Sequence, residues 1–446
     1  MSFSAASLGE VLKAQLPRAA TGLVVAVSGG MDSGCLLAAA ARLPGACGGL
    51  PLRAVHIDHG LQSAAAEFRR VCTAWCAALG IPLSIIAVSV DAAHGASLEA
   101  AARAARYAAL GGALAAGECL LTAHHAQDQA ETFLLQALRG AGVAGLASMP
   151  DCRALGLGWH LRPLLEVAPS ELEAYAASLG IVGVLDPMNE DLRFDRAYLR
   201  GRIWPAIERR WPGARIALAR SAAHAAAAQD LLAAAADADL AALGDGAALS
   251  VTRLRALSAD RRANALRRWI DRAGARPPPA ARLHEALRQI LEARADQQPA
   301  VVWAEHALRR YRDRIFLTAA EPARLRTAYA WDPRAQPVLE LGAGLGRLRA
   351  RSQDGGLAAE ELPATLAVRG RRGGERLKPA PRAATQSVQH LCQSQGLPPW
   401  TRAALPFVFA GAELIAVGDL WLDARRCAPP GEPGIGFDWQ GGPGLP

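Results

Sequence analysis

Apolar residues in the first third of the chain gather into short runs at 23–27, 52–57, 83–90 and 119–123. Alanine-rich stretches with helical spacing separate them. That alternation is a βαβ series, and it predicts a parallel sheet covered on both faces. In such sheets ligands bind just beyond the strand ends, so the residues after each run are the first place to look for chemistry. A helix is expected from about Pro169 to Leu179, followed by a loop rich in Asp, Asn and Arg. From about Arg215 the pattern changes. Arg220–Leu243, Ala259–Ala273 and Ala280–Ala295 read as amphipathic helices, the last after the break Arg276-Pro277-Pro278-Pro279, and Val301–Leu317 reads as strand. A Pro-punctuated linker at 331–337 leads to alternating stretches at 338–350, 364–369 and 405–418, which predict a small mixed domain. The Gly/Pro-rich tail after Cys427 is expected to be loosely ordered. The expected architecture is α/β: a parallel-sheet domain over 1–214, a mostly helical domain over 215–330 and a small α+β domain over 338–440.

At 446 residues and 51% hydrophobic composition, the chain can build two or three cores. No apolar run reaches the ~20 residues of a membrane span, and MSFSAASLGEVLKAQLP lacks the charged start and apolar core of a secretory signal. The eight cysteines form no CxxC pair, and Cys72 and Cys76 stand at helical spacing, as on a buried face. We therefore expect a reducing, cytoplasmic setting with neither disulfide nor structural zinc. The net charge of +8 is carried almost wholly by arginine, since Lys13 and Lys378 are the only lysines. Such a balance favours a polyanionic partner, although arginine usage alone would be weak evidence.

The sharpest chemical signal is Ser28-Gly29-Gly30-Met31-Asp32-Ser33, between the first apolar run and a helix. Glycines let the backbone approach an anion at a helix N-terminus, the two serines add donors, and Asp32 offers a carboxylate to a magnesium ion on phosphates. A GxxxxGK[ST] loop is excluded because neither lysine stands in such a context. His56-Ile57-Asp58-His59 follows the second run. Alternation puts His56 and Asp58 on one face and His59 off it, which favours shaping a nucleotide pocket over binding a metal. After the third run, Glu99, Arg103 and Arg106 lie along one helix side, either as a solvated ion pair or with Arg103 stabilising charge on a transferring group. After the fourth, His124-His125 precede Asp128 and Glu131. That i,i+3 spacing puts two carboxylates on one helix face, where they could hold magnesium and an incoming ammonium. The three glycines in Leu138–Leu146 make either a plain loop or a lid.

The SGGMDS loop resembles that of the N-type ATP pyrophosphatases, the PP-loop superfamily. The ordered set resembles more narrowly the bacterial tRNA(Ile)-lysidine synthase family: HIDHGL (56–61), EAAARAARY (99–107), HHAQDQAET (124–132), LRGAGVAGL (138–146), RPLL (162–165), DPMNEDLRFDRAYLRGRIWP (186–205), GGERLKP (373–379) and GLPPWTR (396–402). The chain departs from the family pattern at Gln127, where an acid is usual, at Ala197 after Arg196, and at 385–389, often rich in Arg and Lys. The resemblance implies that ATP adenylates the wobble cytidine of a CAU-anticodon isoleucine tRNA and that free L-lysine then displaces AMP, which moves codon reading from AUG to AUA. It implies Asp32, Arg103, Asp128 and Glu131 as catalytic, Asp32 and Asp128 as Mg2+ ligands, and Ser28 to Ser33 with His56 and Asp58 around the nucleotide. Arg369, Arg371, Arg372, Arg376 and Lys378 would grip tRNA phosphates. No membrane and no obligatory protein partner is implied. The alternatives are a PP-loop tRNA thiolase, an ammonia-dependent ligase, and a tRNA-binding protein without catalysis. The missing cysteine pairs argue against the first, the long basic C-terminal extension against the second, and the intact Ser28, Asp32, Ser33, Asp128 and Glu131 against the third.

Overall fold

The five residues Gly22–Ala26 (β1) are all buried, as in a central parallel strand with both faces covered. Their side chains divide by period two. Leu23, Val25 and Val27 join one core, and Val24 and Ala26 join another on the opposite face. The computed structural model describes residues 2–43, 49–58, 65–88, 98–184 (side chains from 101), 191–244, 246–294 and 297–442. β1 pairs in parallel with Leu52–Asp58 (β2) on one side and Glu118–Leu121 (β4) on the other, and Leu83–Ala87 (β3) extends the sheet beyond β2. Helices Ala5–Gln15 (α1), Met31–Ala41 (α2), Ala65–Leu79 (α3) and Pro169–Leu179 (α7) cover the first face. Cys72 and Cys76 are buried there, as their spacing predicts. Leu98–Gly112 (α4) covers the second face through Tyr107 and Leu110.

The sheet contains a hairpin that the apolar pattern does not announce. Cys152–Leu155 (β5) and Gly158–Leu161 (β6) pair antiparallel around Gly156, whose φ of 56° suits glycine, and β6 then lies parallel to β4. Both strands are four residues long and mix polar with apolar positions, so no run betrays them. The strand order β3-β2-β1-β4-β6-β5 reverses between β1 and β4. That reversal is a topological switch point, and the loops leaving the two strands face one crevice. Ala126–Leu138 (α5) follows β4, with the single turn Val143–Leu146 (α6) after it. Asp195–Tyr198 (α8), a π-helical turn at Leu199–Ile203 and Trp204–Arg210 (α9) bring Leu199 and the fully buried Trp204 against Ala130 of α5. The expected boundary at 214/215 falls at the first residue of Ala214–Leu243 (α10), which carries the chain into a second unit from Leu232 onward.

In the second unit, helices Ala259–Arg272 and Ala280–Glu292 share a core with a four-stranded antiparallel sheet of Ala248–Ser250, Arg314–Ala319, His306–Tyr311 and Ala300–Trp303. Further on, Tyr329–Trp331, Leu366–Arg369, Phe407–Ala410, Glu413–Val417 and Trp421–Leu422 form a five-stranded sheet. The expectation of a loose tail is corrected here. Pro433–Gln440 is a strand that pairs along its whole length with Arg347–Asp354. Ile435, Phe437 and Trp439 alternate into the core, and the Trp439 indole donates to the Leu345 carbonyl at 2.7 Å; Gly and Pro in the segment mask this period-two signal. Among the described residues no helix is long and apolar enough to cross a membrane.

Candidate active site

The loop after β1 is built by its glycines and serines. Gly29 has a φ of 87°, and a Cβ there would lie 2.8 Å from the Phe68 ring, so both conformation and space call for glycine. Ser33 Oγ donates to the Gly30 carbonyl at 2.8 Å and accepts from the Ser28 amide at 3.1 Å, locking the turn onto the first turn of α2. Gly30 caps α2 without a side-chain acceptor, so the N-cap residue itself leaves the amides of the first turn free for an anion. Asp32 stands in that turn, partly exposed at the crevice. A brace that the sequence does not signal comes from 181–184. The Val184 amide donates to the Gly29 carbonyl at 2.9 Å, and a Cβ on Gly183 would lie 2.3 Å from the Met31 nitrogen.

From the other side of the switch point, His125 caps α5. Its Nδ1 accepts from the Gln127 amide at 3.2 Å, while Asp128 accepts from the His125 amide at 3.1 Å. Since Nδ1 accepts, Nε2 carries the ring proton. Nε2 lies 3.6 Å from Asp32 Oδ2 and 3.7 Å from Asp128 Oδ2, so the two carboxylates flank one point. Burial works against charging His125, but the interactions with Asp32 and Asp128 outweigh it and raise its pKa. Two carboxylates are what magnesium ordinarily takes from a protein when phosphates and water fill its other positions, so Asp32 and Asp128 fit that ion. Among the described residues no group of three or more His, Cys, Asp or Glu could hold a metal, and His59 lies outside those residues.

Glu131 is fully buried one turn along α5, and its oxygens are engaged by Arg200 from the π-helical turn. Nε reaches Oε1 at 2.6 Å, and Nη2 reaches Oε2 at 2.9 Å and Asp128 Oδ1 at 3.0 Å. Gln127 also donates to Glu131 at 2.9 Å and is itself held by Arg215 at 2.6 Å. Arg196 donates to Thr132 Oγ1 at 3.0 Å and lies 3.9 Å from Asp128. The acidic pair expected from α5 is thus one side of a network closed by arginines 64 to 88 residues along the chain from their partners. Local spacing could not reveal that. Among the other expected residues, His56 is buried and its Nδ1 donates to the Val27 carbonyl at 2.8 Å, while Asp58, at the end of β2, pairs with Arg69.

Arg103 lies over the Tyr107 ring at 5.1 Å, with Arg153 5.0 Å from the same ring, and its charge joins burial and Arg162 in lowering the pKa of His124, the neighbour of His125. Beside them, Arg162 Nη2 lies 3.1 Å from His160 Nδ1, which must accept. His160 Nε2 then donates to Thr122 Oγ1 at 2.8 Å, and that hydroxyl donates to His124 Nδ1 at 2.8 Å. Burial, reinforced by Arg162, Arg153 and Arg103, drives the His160 pKa down to about 2 and keeps the ring neutral. In the second unit, Arg369, Arg371 and Arg372 line one cavity of about 550 Å3, whereas Arg376 donates to the Thr385 carbonyl at 2.8 Å and neither Arg376 nor Lys378 lines that cavity.

A glycine-rich turn from a parallel strand onto a helix, faced across the switch point by a second helix bearing two carboxylates, defines an ATP-utilising PP-loop domain. The PP-loop domain model matches residues 4–207, the TilS substrate binding domain model 249–316 and the TilS substrate C-terminal domain model 366–439. The tRNA(Ile)-lysidine synthase of Alkalilimnicola ehrlichii is 43% identical, over 92% of this chain and 92% of that protein. That of Xanthomonas campestris is 42% identical over 90% and 91%, and that of Methylococcus capsulatus 38% over 93% and 95%. The chain belongs to the tRNA(Ile)-lysidine synthase family, and it is an ATP-dependent ligase.

Proposed function

We propose that this protein joins the ε-amine of free L-lysine to C2 of the wobble cytidine in a CAU-anticodon isoleucine tRNA, converting an AUG reader into an AUA reader. The cytosine 2-carbonyl oxygen attacks the α-phosphorus of ATP and pyrophosphate leaves. The lysine amine then attacks C2 of the adenylated base, AMP leaves with the oxygen, and the amine loses its proton. Adenylation is needed because the carbonyl oxygen is a poor leaving group and AMP a good one. The cytidine stands in an anticodon loop, so little unstacking opposes its entry.

The observation that carries this reading is the convergence of the Ser28–Ser33 turn and the start of α5 on one crevice, with Asp32 and Asp128 both within 4 Å of His125 Nε2. The amides of Met31, Asp32 and Ser33, with Ser28, take the departing pyrophosphate. Asp32 and Asp128 would hold a magnesium ion, which would neutralise the charge that develops on the phosphates. His56 and Asp58 close the nucleotide side of the crevice, and Arg103 stabilises the adenyl group. Glu131, with Asp128, receives the lysine ammonium. The hydrogen bonds from Arg200 to both carboxylates support this reading, in which lysine enters by taking over part of that guanidinium's hydrogen bonding. The basic second unit binds the rest of the tRNA, and the reaction takes place in the cytoplasm.

Sulfur transfer is the competing chemistry, and the thiols disfavour it. Burial, with the charge of Asp32 adding to it, pushes Cys35 beside the loop up to about 12, and Cys72 also stands at about 12. A thiol held protonated is a poor nucleophile. The test is pyrophosphate release from ATP with lysine and tRNA each present or absent, together with the fate of labelled lysine. Release that needs cognate tRNA, with label on the RNA, is expected. Transfer of sulfur or ammonia, or no AMP under any condition, overturns the reading.

A further inference from the structure

We propose that a groove in the second unit binds an unpaired nucleotide stretch of the RNA, with phosphates in an arginine-lined arm and a base against Trp400; this rests on RNA being the substrate. The groove consists of two cavities of about 550 and 600 Å3 that share Arg324, Arg326, Pro399 and Ala403.

The arginine arm is assembled by the segment joining the two C-terminal matched regions. Arg324 and Arg326 lie outside both of those stretches. Leu325 between them is buried, its amide donates to the Ala403 carbonyl at 3.2 Å, and its carbonyl would stand 2.0 Å from a Cβ at Gly370. Only glycine at 370 permits that approach. It clamps the segment and leaves the arginines on either side of Leu325 exposed toward the space. Arg369, Arg371, Arg372 and Arg402 complete six guanidinium groups around one cavity. Against them stand Glu375, which pairs with Arg369 at 3.3 Å, and Glu321 in the neighbouring arm. Arg371 donates to Gln389 at 2.9 Å, and Arg402 to the Leu397 carbonyl and the Tyr311 hydroxyl at 2.7 and 2.8 Å. These bonds hold the guanidinium groups in place without neutralising them. Six arginines against two carboxylates leave concave positive charge in excess, and such charge concentrates a polyanion.

The second arm supplies a different contact. Trp400 is braced edge-on by Phe316 at 5.5 Å and Tyr311 at 6.4 Å, the Arg309 guanidinium lies 5.9 Å from its ring centroid, and Gln298 offers an amide in the same lining. A fixed indole with a cation beside it stacks a base, and an amide bonds to a base edge. A duplex keeps its bases inside and could use only the arginines, so the Trp400 arm selects an unpaired segment.

The experiment uses the full-length protein with a short single-stranded oligoribonucleotide, a blunt duplex of equal length and inorganic phosphate alone, without ATP or lysine. The single strand is expected to bind more tightly than the duplex and to quench up to about a tenth of the indole emission, because Trp400 is one of ten tryptophans. Trp400→Phe, which preserves packing, removes that quench. Arg324→Ala/Arg326→Ala, at exposed positions, lowers the slope of log K against log salt by about 1.4, two phosphates at ~0.7 each for single strands. Equal affinity for the duplex, a quench that survives Trp400→Phe, an unchanged salt slope, or displacement of the oligonucleotide by micromolar phosphate overturns the proposal. Lysine incorporation is read in a separate assay, so failure of the catalytic reading and failure of this one are distinguishable.

Discussion

Replacing Arg200 tests whether the acidic pair on α5 depends on a partner far along the chain. Arg200→Met removes three charge-assisted hydrogen bonds, at 2.6, 2.9 and 3.0 Å, and leaves a fully buried Glu131 with the Gln127 amide as its remaining described donor. Breaking a buried pair by removing one partner costs about 3–5 kcal/mol. The Arg200 side chain is one-third exposed, which places the cost near the lower figure, about 3 kcal/mol. Glu131→Gln keeps the shape and one acceptor but loses the charge, at a cost of about 2 kcal/mol. In the double variant neither charge is stranded, so the costs do not add, and a coupling of about 2 kcal/mol is expected. Amide hydrogen exchange of α5 and of Leu199–Ile203 reads this locally. Protection should fall on the order of a hundredfold in Arg200→Met and recover in part when Glu131→Gln is added. Additive effects, with coupling below about 0.5 kcal/mol, would refute the pairing.

Three further outcomes are expected. Asp32→Ala abolishes AMP formation and leaves tRNA affinity nearly unchanged, as measured by filter binding, because its carboxylate faces the nucleotide crevice; a matching loss of tRNA binding would misplace the loop. Glu131→Gln raises the lysine KM on the order of tenfold to a hundredfold and accumulates adenylated tRNA, whereas Asp128→Asn leaves tRNA unmodified. Mass analysis of quenched tRNA separates the two, and identical product patterns would sink that division of roles. Hydrogen bonding from Arg53 (2.8 and 2.5 Å) pulls the Glu118 pKa below its ordinary value, so its stabilisation is present above the unfolded pKa of about 4.3 and lost as pH falls through the folded value. Glu118→Gln should therefore flatten part of the acid limb of stability against pH; an unchanged limb would show that the pair contributes nothing.

How much of this molecule is legible in the sequence depends on the range over which each feature is encoded. β1 and the turn after it are contiguous. Five buried residues, two glycines and two serines define the strand, its direction and the tight turn onto the next helix without reference to anything distant. The carboxylates of α5 are equally local, being three residues apart on one helix. What sits on those carboxylates is not local, because Arg200 arrives through a π-helical turn whose place beside α5 is set by Trp204 and Leu199 packing on Ala130. A sequence pattern shows Arg200 as one arginine among many in a basic segment. The same holds for the Gly183–Val184 brace, and for Arg324 and Arg326, whose direction is fixed by Leu325 and by the missing side chain of Gly370. Where the pattern misled, at Pro433–Gln440, composition outweighed periodicity. Gly and Pro signalled a loose end, while Ile435, Phe437 and Trp439 already carried the alternation that closes the C-terminal core. Local chemistry and period-two alternation thus survive a noisy composition, whereas the identity of a charged group's partner is a property of the fold. Assigning the role of Glu131 therefore requires Arg200 as much as the helix that carries it.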